Sequence, residues 1–413
     1  MKKRLLPFLI LLGALTSLAA QQPSYEAYFT PERLRVDLVF AGNAQTQDAF
    51  FSSLHKEGMW TGSPNQTVDP FGYGEYYIKV FASDGTLIFA KGFSSLFQEW
   101  RTTNEAKERD RAFNTSVWMP FPKQPVTFTV YERIAKKGTY EPMLTFNIDP
   151  ADNLISHEKP RFQAKKLVDN GPEAHKVDLL FVAEGYTANE MDKFYKDARK
   201  FSEYLFAFEP FTSRKKDFNI WALPSVSEDS GPDIPQNDVW TRTVIGAAFN
   251  TFYIDRYMTA PDFLPIAQTV LGAPFDAIYV IVNTTKYGGG GIYNYYGLSM
   301  SDHRTEKEVF VHEFGHSFAG LADEYFSSQV AYNDMYPLDV EPWEPNITTQ
   351  VNFASKWEDM MGIDGVGLFE GGGYSTKGVF RPVDDCRMRT NSAPAFCPVC
   401  QRAISRMIDF YTK

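Results

Sequence analysis

The chain has 413 residues, 44% of them hydrophobic and 22% charged, which excludes wholesale disorder and collagen-like repeats and points to more than one domain. A formal net charge of −10 argues against nucleic acid or an anionic membrane surface as the main partner, because both need clustered Lys and Arg. Three cysteines are too few for a disulfide-built scaffold, and only six histidines are available for metal or acid–base chemistry.

Residues 1–20 (MKKRLLPFLILLGALTSLAA) read as a signal peptide: a basic start, an apolar stretch, then small residues before Gln21. The stretch is short for a membrane anchor and Pro7 interrupts it. No second apolar run is long enough to span, so an exported protein, periplasmic or extracellular, is expected. Its compartment would permit disulfides.

Residues 21–160 form the first expected domain. Arg33–Ala41 and Val126–Arg133 alternate as strands, and Tyr76–Ala82 and Thr86–Ala90 flank the turn Ser83-Asp84-Gly85. Met143–Ile148 adds another, and the set suggests an antiparallel β-sandwich. Glu99–Arg111 reads as a charged loop or short surface helix. His55 and His157 look isolated and superficial, and this half shows no catalytic constellation.

After the polar stretch 149–176, strands and helices alternate, giving an α/β second domain at 165–413 and an α+β multidomain chain overall. Val177–Ala183, Phe218–Ala222 and Ala277–Val282 read as buried strands, and 188–208 has helical spacing. The run Gly288–Gly291 lacks a phosphate-loop ending and reads as a flexible bend before a strand at Ile292–Leu298.

The segment TEKEVFVHEFGHSFAGLADEY (305–325) carries the chemistry. Thr305 and Glu308 fit a capping box, and Phe310, Phe314, Phe318 and Leu321 form an apolar stripe. His312 and His316 share the other face, the spacing of an HExxH zinc site. Glu313 is displaced around the helix from both, suited to act as general base on a metal-bound water and then as proton donor to the leaving amine. Zinc needs a third ligand, and no histidine follows His316. Gly320 fits a left-handed helix end, and Asp323, three residues on, is the expected third metal ligand; Glu324 is the runner-up and Glu341 or Glu344 more distant candidates.

HEFGHSFAGLADEY, together with VDLLFVAEGYTANEMDKFYKDARKF, SEDSGPDIPQ and DDCRMR…FCPVC, resembles the IgA-peptidase family of zinc metallopeptidases, in the metzincin group. The resemblance implies a metzincin-like α/β zinc-protease domain, Zn2+ held by His312 and His316, Glu313 as acid/base, and Met388 as an apolar support beneath the metal. It implies a protein or peptide substrate. The usual tyrosine two residues after that methionine is replaced by Thr390, and the third histidine is missing. Ile292–Leu298 then becomes either an edge strand that pairs with extended substrate or an internal strand.

Cys386, Cys397 and Cys400 cluster near the expected terminal helix at 399–411. A structural zinc site lacks a visible fourth ligand here, so a disulfide is favoured, in any of the pairings Cys386–Cys397, Cys386–Cys400 or Cys397–Cys400. The best reading is an exported, zinc-dependent endopeptidase of the HExxH type. One alternative is a β-sandwich module that binds a glycan or host protein through aromatics such as Trp60, Trp100 and Trp118, with an inactive zinc domain. Another is a zinc amidase on cell-wall peptides. Substrate specificity and oligomeric state are not encoded in any residue pattern.

Overall fold

Period-two alternation in the first half builds two antiparallel sheets. The computed structural model describes residues 24–326 and 336–413, and the expected signal peptide lies outside them. The strands are β1 (Phe29–Gly42), β2 (Gln47–Met59), β3 (Tyr76–Phe81), β4 (Leu87–Phe93), β5 (Arg111–Pro122), β6 (Val126–Ile134) and β7 (Thr139–Ile148). They pair as β2-β1-β5 and β4-β3-β6-β7. Leu34, Val36, Leu38 and Phe40 of β1 point into a core shared with Ile78, Val80 and Phe128 of the other sheet, the packing of an antiparallel sandwich.

The opposite face of β1 is also buried, which alternation alone would assign to solvent. Arg33 and Arg35 are each 1% exposed and form salt bridges of 2.9 and 2.8 Å with Glu57 of β2. They also donate to the carbonyls of Ala273 and Ala267 in the second half. His55, 2.9 Å from Asp37, belongs to this network rather than to the surface, whereas His157 is exposed. Buried charges persist only when paired, so these ions read as surface residues in the sequence but serve as a seam.

The second half centres on a six-stranded sheet in the order β12-β13-β11-β9-β10-β8. Its strands are β8 (Lys165–Val168), β9 (Val177–Glu184), β10 (Phe218–Leu223), β11 (Ala277–Val282), β12 (Gly289–Ile292) and β13 (Tyr296–Met300). The four inner strands are parallel, and β12 and β8 run antiparallel at the edges. Both faces are covered, as parallel sheets require. Leu180 and Val182 of β9 face the sandwich core, while Leu179 and Phe181 face the helices. The hydrophobic core of the first half therefore continues into the second.

One expectation is corrected at β12, and one of two open alternatives holds at β13. The glycine run is not a bend: it forms the edge strand itself, followed by a turn, and β13 is internal, between β11 and β12. Gly291 packs so tightly on the neighbouring helix that a Cβ there would lie 2.3 Å from the Glu313 carbonyl oxygen. Glycine is needed for that backbone approach.

Helix Met191–Leu205 opens behind a capping box made by Thr187 and Glu190. Helix Glu306–Ala319 does not use the expected one: Thr305 makes no capping bond, and its hydroxyl pairs with His303 Nδ1 at 2.8 Å. Glu306 and Glu308 in its first turn complement the helix dipole instead. Phe310, Phe314, Phe318 and Leu321 are all at most 2% exposed and lock this helix to the sheet and to helix Pro398–Thr412. Truncating one such phenylalanine to alanine costs ~3–5 kcal/mol. A small hairpin, β14 (Phe369–Gly372) and β15 (Ser375–Arg381), completes the fold.

Trp100 is fully buried, Trp118 packs edge-on against Phe275, and Trp60 is partly buried against Phe89. These three tryptophans make no exposed aromatic platform for a glycan. No helix among the described residues is long and apolar enough to cross a membrane.

Candidate active site

The helix Glu306–Ala319 places His312 and His316 one turn apart, with their Nε2 atoms 3.0 Å from each other. The helix ends at Gly320, whose φ of 64° is left-handed and turns the chain back beneath the histidines. That reversal brings Asp323 Oδ1 to 3.0 Å from His312 Nε2 and 3.2 Å from His316 Nε2. Asn346, fully buried, clamps the returning segment: its amide accepts from Ala322 N and donates to Ala322 O.

The tautomers are set from outside the triangle. His312 Nδ1 donates to the Arg387 carbonyl at 3.0 Å, and His316 Nδ1 donates to the Leu321 carbonyl at 2.5 Å. When the rings are neutral, both Nε2 atoms carry lone pairs, and they meet the buried Asp323 Oδ1, which has no other hydrogen-bond partner. Three electron-rich atoms at this spacing repel one another unless a cation lies among them. Bonds of about 2.0–2.1 Å to a tetrahedral zinc put donors about 3.3 Å apart, close to the observed edges. The donor set fits a divalent metal.

Electrostatics point the same way. Burial alone would neutralise Asp323, but the two imidazoles hold its carboxyl well below the usual range. Burial opposes charge on His316 too, yet Asp323 lifts the imidazole to about 9. A proton and a metal ion thus compete for the same atoms. Glu313 lines the same cleft; burial raises its carboxyl above the ordinary value, against the pull of His312 and His316.

Met388 lies under the helix, fully buried, and a Cβ at Gly315 would touch its sulfur at 2.9 Å. The structure brings Glu313, His312, His316, Asp323, Gly320 and Met388 together. Glu324 points elsewhere, accepting from Asn346 Nδ2 at 3.0 Å and from Cys400 Sγ at 3.2 Å. Glu341 accepts from Asn352 N, and Glu344 from the Tyr336 hydroxyl, so neither joins the triangle.

Some residues of the cleft, Tyr374 and Arg256 among them, carry no sequence signal, whereas Tyr325 is close in sequence to the metal-site segment. Tyr374, from the tip of the β14–β15 hairpin, donates its hydroxyl to Asp323 Oδ2. Tyr325 also bonds to Asp323, and Arg256 bonds to Tyr325. The cleft, about 300 Å³, is walled on one side by β12 and on the other partly by the first half, through Ser94, Gln98 and Glu99. Tyr257 donates its hydroxyl to Glu99 across that boundary. The first half therefore helps wall the cleft, although it carries none of the expected catalytic or metal-ligating residues.

A family model described as IgA Peptidase M64 matches residues 165–365 and 363–408. The chain belongs to the IgA peptidase M64 family. Residues 24–142 match a second model, Peptidase M64 N-terminus, so the sandwich belongs with the family as well. No curated protein matches the chain. Membership makes the protein a peptidase. His312, Glu313 and His316 form a group whose potential ligand atoms all lie within 4.8 Å of one another, and Asp323 stands beside the two histidines.

Proposed function

We propose that this M64 peptidase is an exported, zinc-dependent endopeptidase of the metzincin type, with His312, His316 and Asp323 as metal ligands and Glu313 as general base and acid. The observation that carries this reading is the convergence of three lone-pair donors at 3.0–3.2 Å beside a half-buried glutamate in an open cleft. A zinc ion bound there supplies Lewis acidity to a water and to the scissile carbonyl.

Glu313 takes the proton from the attacking water and delivers it to the departing amine; a carboxyl raised by burial is better matched to both transfers near neutral pH. Asp323 is oriented by Tyr374 and Tyr325, so that one oxygen faces the imidazoles. The Arg387 and Leu321 carbonyls hold both rings in one tautomer, the usual role of groups behind metal-bound histidines. The strand β12 forms the wall along which an extended peptide would add by main-chain hydrogen bonds.

Cleavage-site profiling on a mixed peptide library, run with metal analysis, tests the proposal. Internal cleavage that stops on chelation and returns with zinc supports it. Cleavage indifferent to chelation in metal-free protein overturns it.

A further inference from the structure

Behind the triangle, on the far side of the Asp323-Glu324 pair, lies a second cluster that the peptidase chemistry does not use. Cys386, Cys397, Cys400 and Glu324 are each at most 6% exposed, and their sulfur and carboxylate atoms all lie within 4.8 Å of one another. We propose that these four side chains hold a second, structural zinc ion, tetrahedral and closed to solvent, that braces the catalytic centre from beneath.

The distances match that geometry better than a disulfide. The Cys386 and Cys400 sulfurs are 3.8 Å apart, and Cys400 Sγ is 3.2 Å from Glu324 Oε1. Zinc–sulfur bonds of about 2.3 Å place two sulfurs of a regular tetrahedron about 3.8 Å apart, whereas a disulfide needs about 2.05 Å. All three cysteines are free thiols. The sequence suggested no fourth ligand because it offered no nearby histidine; the fold supplies a glutamate from another segment.

Backbone amides already address the sulfurs: Cys397 N donates to Cys386 Sγ at 3.2 Å, and Cys400 N to Cys397 Sγ at 3.5 Å. Such donors stabilise thiolates, the form that binds metal. Glu324 Oε2 is buried with no hydrogen-bond partner. A disulfide between any two cysteines would leave the third thiol beside that carboxylate, with no counter-ion gained. Three thiolates, one carboxylate and a dication carry two negative charges, and two buried guanidiniums stand by to balance them. Arg381 lies within electrostatic reach of Glu324, and Arg387 of Cys386. Loading exchanges the protons held by the cysteine sulfurs and by Glu324 for the ion, with no redox step.

The two sites share backbone. Asp323 and Glu324 are neighbours, Glu324 N donates to Met388 O at 2.8 Å, and the Arg387 carbonyl that orients His312 follows Cys386 directly. A structural ion would therefore fix Asp323, His312 and Met388 relative to one another.

The test is metal stoichiometry and ligation, which does not depend on whether the chain cleaves peptides. Native protein is expected to hold two zinc ions per chain, and a His312→Ala/His316→Ala variant one. Exchanged with Co2+, that variant is expected to show the near-ultraviolet thiolate-to-cobalt charge-transfer band. Denatured in chelator without reductant, the native chain should alkylate at three thiols. A metal-free histidine variant without that band, or a single alkylatable thiol, overturns the proposal. Glu324→Gln, which keeps all three sulfurs, should retain the band but bind cobalt more weakly; unchanged cobalt affinity would remove Glu324 from the ligand set.

Discussion

Replacing Gly291 with alanine perturbs the site without touching a titratable group. The new Cβ would sit 2.3 Å from the Glu313 carbonyl oxygen and 3.0 Å from His316 Cβ. Ordinary contact begins at 3.4 Å, so strand β12 and the histidine helix must part by about 1 Å. The obstructing atom is backbone, so no rotamer change relieves it. Overpacking of this kind costs ~1–3 kcal/mol of stability. A displacement of about 1 Å between the strand and Glu313 should also lower kcat/KM by about 100-fold. The assay is peptide hydrolysis at matched zinc content, alongside a thermal melt. A Gly291→Ala enzyme with native kcat/KM and native melting temperature would refute the close packing of β12 on the helix, and with it the placement of substrate along that strand.

Three other outcomes follow from the geometry. Asp323→Ala removes one corner of the triangle, so metal analysis after dialysis should find the catalytic ion lost; full retention would assign the third ligand elsewhere. Tyr374→Phe deletes the hydroxyl that steadies Asp323 Oδ2, and competition with a chelator should show zinc affinity reduced about 10–100-fold with the fold intact. Asp178, buried, and Asp276, half-buried, lie at the base of the central sheet; desolvation lifts their carboxyls to about 8 and about 7, and the Asp276 charge adds to the rise at Asp178. The folded chain keeps protons there that the unfolded chain releases near pH 4, so their contribution makes stability fall as pH rises from about 4 to about 8. Asp276→Asn should flatten that slope, and melts at pH 5 and pH 8 that differ as much in the variant as in the native protein would contradict it.

The helix stripe, the paired histidines and the Gly320-to-Asp323 step were legible because each depends on local spacing. The buried strands β9, β10 and β11 were legible for the same reason, as apolar runs. Strand β8 was hidden by its lysines, acceptable at an edge, and β12 by glycines, whose value there is the absence of a side chain. The Arg33–Arg35–Glu57 seam reads as a solvated face because pairing between distant strands has no local signature. Tyr374, Arg256 and Asn346 reach the site from separate loops with no fixed offset from HExxH. Glu324 stood beside Asp323 in the sequence as a rival for one metal, and the fold turns the two carboxylates to opposite sides.

The central claim is that Glu313 moves the proton in hydrolysis at a metal held by His312, His316 and Asp323. Peptide hydrolysis by Glu313→Gln, measured together with its zinc content, tests this most directly. The account expects zinc bound as in the native protein and kcat reduced by at least about 100-fold. Native-like turnover in a zinc-loaded Glu313→Gln preparation would contradict it.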